Sequence, residues 1–181
     1  MSEGTAYIVL FRGVGGKTQL PVAPLREKLA EAGFANVATY INSGNAVLKS
    51  PLPREEVAAR IAEVCARAFA FDKEVHVATR AEWRALIAAN PFPQAVATPT
   101  FLHAAVLAEE PEAARIEALR ALAAEGEGIA VVGKVAYLHT PHGFGRSKLA
   151  EKFDKGIGVA NTARNWNTVL KLDALAAAAD A

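Results

Sequence analysis

The sequence predicts an α+β fold, on three observations. Residues 1–79 read as strand, helix, strand, strand, helix, strand; residues 80–181 nearly repeat that order; and no Ser/Gly-rich linker separates the two stretches. The expected organisation is an N-terminal half (1–79) and a C-terminal α+β half with a basic helical tail (80–181), packed as one compact unit.

The first element is the run Tyr7-Ile8-Val9-Leu10-Phe11, apolar and rich in β-branched and aromatic residues, as a buried strand requires. It stops at Arg12 and gives way to Gly13, Gly15, Gly16 and Lys17, with no acidic residue between Glu3 and Glu27. Pro21 to Gly33 reads as a helix, with Pro24 in a first turn, Leu25 and Leu29 four apart, and Gly33 as the stop. Val37–Ile41 and Ala46–Lys49 are short strands around Asn42-Ser43-Gly44-Asn45, a hairpin composition. Pro53 opens a second helix with an apolar stripe at Val57, Ile61, Val64 and Ala68, and Glu74–Ala78 is the fourth strand. This βαββαβ order is the split βαβ arrangement of ferredoxin-like folds. Right-handed crossovers make the first two strands parallel and the other two antiparallel to them. The Arg12–Lys17 loop and the Asn42–Asn45 turn then open at the same edge.

The second half starts with a capping box from Thr79 to Glu82 and a helix bearing Trp83, Leu86 and Ile87, ended by Asn90-Pro91-Phe92-Pro93. A strand at Phe101–Leu107, a helix opened by Pro111, and a hairpin of Ile129–Val132 with Val135–His139 around Gly133-Lys134 follow. A polar loop leads to a short helix from Ser147 and a last helix from Thr162, without a clear final strand.

Twenty Lys and Arg against 19 Asp and Glu give a formal charge of +1, so the global balance demands neither nucleic acid nor a membrane. Positive charge is local instead. Between Thr140 and Leu172, six basic residues stand against Glu151 and Asp154. Cys65 is alone, which excludes a disulfide framework, an iron–sulfur cluster and a Cys-based zinc site, and its place in a helical apolar pattern reads as a buried inert thiol. The N-terminal apolar run is too short for a signal core and no run is long enough to cross a bilayer, so a soluble cytoplasmic protein is expected, with no membrane partner.

Three segments could carry chemistry. The first loop holds Arg12, Gly13, Gly15, Gly16 and Lys17: glycines let backbone N–H groups approach a ligand and the cations suit an anion. It is no P-loop, since the required first glycine falls on Phe11, and no dinucleotide fingerprint, since Thr18 stands where a third glycine belongs. A strand-to-helix turn with solvated charges explains the same residues. The second segment is Asn42-Ser43-Gly44-Asn45, where Ser43, Gly44 and Asn45 could orient a ligand, although hairpin turns select such residues for backbone reasons. The third is late: Arg146, Ser147 and Lys148 at a helix start, with Ser147 as N-cap, then Arg164, Asn165, Asn167 and Lys171. On a continuous helix, Arg164, Thr168 and Lys171 share one face, and Trp166, Val169 and Leu170 another.

Catalytic equipment is thin. None of the four aspartates lies in these loops, His139 and His142 are separated by Pro141, and no base is evident beside Ser43 or Ser147. Neither a metal nor a cofactor is expected; His139 remains a possible base, and whether the protein is an enzyme stays open.

Over nearly its whole length the chain resembles an uncharacterised, mainly bacterial family, domain of unknown function 1697. The matching residues are Tyr7-Ile8, Arg12-Gly13, Gly15-Gly16-Lys17, Tyr40-Ile41, Ser43-Gly44-Asn45, Tyr137-Leu138-His139, Gly145-Arg146-Ser147-Lys148-Leu149 and Thr162 to Leu172. The first loop is two residues shorter than the family's RGINVGGK, and Asn42 replaces a usual Gln. The resemblance implies an α+β fold of two ferredoxin-like halves and brings no established activity. The leading expectation is a basic, Gly-rich pocket for a phosphorylated or other anionic small molecule. The alternatives are an RNA- or other nucleic-acid-binding module, against which the aliphatic third strand counts, or a structural, partner-binding protein with no small ligand. Oligomeric state is not legible.

Overall fold

The computed structural model describes residues 3–14, 19–41 and 44–181. The chain divides into two compact units, Met1–Ala85 with Lys171–Ala181, and Leu86–Leu170.

The first unit contains β1 (Thr5–Phe11), α1 (Val22–Glu31), β2 (Ala35–Thr39), β3 (Asn45–Ser50), α2 (Arg54–Phe69) and β4 (Val75–Thr79). Its sheet has the order β2-β3-β1-β4 with every neighbouring pair antiparallel, which makes β1 and β2 parallel, the ferredoxin-like arrangement. Strand alternation sends Tyr7, Val9 and Phe11 to the helix side. There they pack with Leu25 and Leu29 of α1 and Val57, Ile61 and Cys65 of α2. Each fully buried Leu or Ile of this set contributes about 1.5–3 kcal/mol of transfer free energy. The opposite face is also apolar and buried at Ile8, Leu10 and Val47. The α2 stripe turns towards Cys65 rather than Ala68, which is exposed.

α3 (Arg80–Ala88) begins with a reciprocal capping box: the Thr79 N–H donates to Glu82 Oε2 (2.9 Å) and the Glu82 N–H to Thr79 Oγ1 (3.1 Å). The second unit then runs β5 (Leu102–Leu107), α4 (Ala113–Arg120), β6 (Gly128–Val132), β7 (Val135–His139), α5 (Lys148–Gly156) and β8 (Asn161–Asn165). Its sheet order, β6-β7-β5-β8, repeats that of the first, again antiparallel throughout. Its core joins Ala105, Leu107, Leu119, Ala136, Leu138, Leu149 and Phe153. The fold is thus two ferredoxin-like halves.

β8 corrects the expectation of a helix from Thr162 and supplies the missing final strand. Its five residues pair in register with β5, Leu107 with Asn161 through His103 with Asn165, and the ladder overrides local helical preference. α6 (Trp166–Asp180) starts only after it. Among the described residues, no helix is long and apolar enough to cross a membrane.

Candidate functional site

Gly15, Gly16, Lys17 and Ser43 lie outside the described residues. The described residues beside them show how the end of β1 adjoins the start of β3. Because β1 and β3 are antiparallel, the end of one adjoins the start of the other: Leu10 pairs with Asn45, and the Phe11 N–H donates to the Gly44 carbonyl at 2.9 Å. Gly44 has φ +76°, and a Cβ there would come within 2.7 Å of Val14 Cγ2 and 2.9 Å of Phe11 Cβ. It is glycine for backbone and packing reasons. Asn45 is buried, and its Nδ2 donates to the Tyr40 carbonyl (3.3 Å) while its own carbonyl accepts from the Tyr40 N–H (3.1 Å). These bonds tie Asn45 to Tyr40 across the β2–β3 connection.

β4 also begins at this end of the sheet. The Arg12 N–H donates to the Glu74 carbonyl (3.0 Å), and Arg12 Nη1 lies 3.7 Å from Glu74 Oε2. A recess of about 430 Å³ is lined by Arg12, Gly13, Asp72, Lys73 and Glu74. Gly13 has φ +74°, and the Lys73 stem would stand 3.6 Å from a Cβ there. The recess is therefore of mixed charge, two cations and two carboxylates, rather than purely basic. Asp72, Lys73 and Glu74 escaped the sequence reading. The signal was available in the topology, because antiparallel pairing of β4 with β1 puts the residues before Val75 beside Arg12.

Lys171, from the part of α6 that belongs to this unit, holds its Nζ 5.9 Å from the centroid of the Tyr40 ring. Its cation consequently stands beside the β2–β3 connection.

The remaining late residues lie in the second unit. Ser147 is the N-cap of α5, its Oγ accepting from the Ala150 N–H at 3.1 Å; Arg146 and Lys148 beside it are exposed. Arg164 is on β8, not on a helix, so it shares no helical face with Thr168 and Lys171. Its Nη1 donates to Thr162 Oγ1 (2.7 Å) and to the Ala163 carbonyl (2.9 Å), and burial pushes its pKa down to about 10. Trp166 and Val169 are buried and Lys171 is exposed, as expected, but Thr168 is buried and Leu170 exposed, so these two exchange faces. Asn165 Oδ1 accepts from the Thr168 N–H at 3.1 Å, capping α6, and Asn167 is exposed.

His103, a single polar residue in an apolar strand, joins the two late motifs. Its ring stacks on Phe144 of the Gly143–Lys148 segment with centroids 3.9 Å apart, and its register partner on β8 is Asn165. Burial pushes its pKa down to about 4, so the imidazole is neutral at physiological pH. His139 lies against Phe92, and His142 Nε2 is 3.2 Å from the Glu125 carbonyl. Among the described residues no three His, Cys, Asp or Glu side chains gather as a metal would need.

The model of the family described as "Protein of unknown function (DUF1697)" matches residues 5–137. The chain belongs to this family. A solved structure described as a conserved bacterial protein from Streptococcus pneumoniae superposes with a TM-score of 0.72 at 20% identity, covering 96% of this chain and 99% of that one. At that identity the likeness is one of fold. No curated protein matches the chain.

Proposed function

We propose that the first ferredoxin-like unit binds a phosphorylated or otherwise anionic small molecule where the end of β1, the start of β4 and the β2–β3 turn converge. The observation that carries this reading is the recess at Arg12, Gly13 and Lys73, since a guanidinium and an ammonium flank a backbone with positive φ. In the Arg12–Glu74 pair the carboxylate is exposed and the guanidinium half-buried, and at 3.7 Å the pair contributes on the order of 1 kcal/mol or less. Asp72 and Glu74 then accept hydrogen bonds from hydroxyl groups, which favours a hydroxylated phosphate over a bare dianion.

An RNA-binding sheet is not supported by the strand faces. Tyr7 and Phe11 sit on the helix side, with the Tyr7 hydroxyl donating to the Leu52 carbonyl and Phe11 edge-on to Phe71, and the other face of β1 is buried and aliphatic.

The test is calorimetric titration of the full chain with inorganic phosphate and with sugar phosphates. Binding that weakens on Arg12→Gln and Lys73→Gln is expected. Absence of heat and of any thermal stabilisation at millimolar ligand, or binding indifferent to both substitutions, overturns the reading.

A further inference from the structure

Each sheet ends in two edge strands, and three of the four edges carry a feature that discourages pairing with another chain. β2 has a register shift between Ala35 and Ala38. β4 contains His76 and follows the charged run Asp72-Lys73-Glu74. β8 contains Arg164, whose guanidinium bonds its own strand at Thr162 and Ala163. β6 has none of these. It reads Gly128-Ile129-Ala130-Val131-Val132, without a charged or polar side chain or a proline, and it pairs with β7 without a break in register. Val132 is left 46% exposed.

The ladder fixes which backbone groups of β6 are free. Even-numbered residues at the two ends of β7 bond towards β5: the Lys134 carbonyl accepts from the Leu107 N–H, and the Thr140 N–H donates to the Phe101 carbonyl. Odd-numbered residues of β7 therefore bond β6, through the pairs Val132 with Val135, Ala130 with Tyr137 and Gly128 with His139. The N–H and C=O groups of Ile129 and Val131 consequently point away from the sheet. Among the described residues, no group meets them except Arg120 Nη2, which reaches the Ile129 carbonyl at a long 3.5 Å.

We infer that β6 is a dimerisation edge, pairing antiparallel with β6 of a second copy of this chain about a two-fold axis at Ala130. Ile129 then exchanges hydrogen bonds with the partner's Val131, and Val131 with the partner's Ile129, which satisfies every free group of both residues. The two four-stranded sheets become one continuous sheet. Arg120 gives up a weak contact and keeps its pairing with Glu117. Side chains fit the same register. Val132 stands opposite the partner's Gly128, whose missing Cβ would lie 2.9 Å from Phe92 Cε1, so the exposed valine is covered by an aromatic ring. Ala130 faces its own copy at the closest approach of the strands, where a small side chain suits. Glu127, whose Oε1 accepts from the Ala124 N–H, precedes the strand, and the exposed Lys134 follows it. Antiparallel pairing sets each carboxylate next to the partner's ammonium, so the edge is complementary in charge to itself. A one-strand interface falls below the roughly 1,200 Å² of standard complexes, which makes this a weak dimer governed by concentration.

The experiment is sedimentation velocity of the full chain, joined to cysteine cross-linking. Between about 10 µM and 1 mM the weight-average mass should rise from that of one chain towards twice that value. Ala130→Lys places like charges opposite each other at a half-buried position and should weaken association about tenfold or more while a cooperative melt is retained. Ala130→Cys should cross-link between chains under oxidised glutathione, because a Cα separation of about 4.5 Å fits a disulfide. Val132→Cys should not, since this register holds its two copies roughly 14 Å apart. Cys65 is buried and stays out of the reaction. A single-chain mass up to about 1 mM, or association indifferent to Ala130→Lys, overturns the inference. Cross-linking of Ala130→Cys no faster than that of Val132→Cys overturns it as well, and this comparison holds even if Ala130→Lys does not fold.

Discussion

The Phe11 amide donates to the Gly44 carbonyl at 2.9 Å, and at this crossing the backbone of one strand end lies so close to the other that no side chain fits between them. Gly44→Ala would place its Cβ 3.0 Å from the Phe11 carbonyl oxygen, which cannot rotate away, at a φ that disfavours alanine. The expected cost is about 2–4 kcal/mol, from left-handed strain plus overpacking. Urea denaturation measures it; an unchanged midpoint would show that this end of the sheet yields easily.

Ala70 offers the opposite change. It caps α2 at φ +50° and is exposed, so Ala70→Gly removes strain without opening a cavity. A gain of about 0.5–1 kcal/mol is expected. Thermal melts of the two proteins side by side would reveal it.

The capping box at α3 is predicted to act as a unit. Thr79→Ala leaves the Glu82 N–H without its side-chain partner and should cost about 1 kcal/mol. Glu82→Ala removes the return bond and the pairing with Arg54. A double-mutant cycle in chemical denaturation should give less than the sum of the two single effects, and strict additivity would argue against reciprocity.

Acid sensitivity should trace in part to His103. Its folded pKa, about 4, lies below the ordinary imidazole value of 6.5, because burial disfavours the charged ring, so the folded state favours the neutral form. The associated stability is fully present above pH 6.5 and is lost as pH falls towards 4, by on the order of 3 kcal/mol. His76 is shifted the same way, by burial first and by Arg54 second, and adds to the trend. His103→Phe keeps an aromatic ring on Phe144 and removes the titration. Its stability should fall less than that of the unsubstituted chain between pH 7 and 4, and parallel pH curves would assign the acid loss to other groups.

Most of the first unit was legible because its signals are local. The Leu25 and Leu29 spacing, the Pro53 start and the Thr79–Glu82 box each act within one or two turns of helix, and the structure retains all three. β2 was read two residues late because its bulge at Asn36 breaks strict alternation. Arg164 was misplaced because TARNWN has no strong strand pattern of its own; pairing with Ala104, sixty residues earlier, decides its state. The Ser147 N-cap was legible from its place before Lys148-Leu149, whereas the Asn45 side-chain bond to the Tyr40 carbonyl depends on the geometry of the β2–β3 connection.

By itself the sequence determined the family, the α+β class, the buried Cys65 and the meeting of the end of β1 with the start of β3, since crossover handedness and hydrophobic period leave few alternatives. Only the tertiary structure decided that Asp72, Lys73 and Glu74 join Arg12 at a recess, that Phe144 covers His103, and that Ile41 is held in a left-handed conformation. Those facts depend on contacts between distant segments and on backbone geometry set by packing, and neither is written in the spacing of residues along one strand or helix.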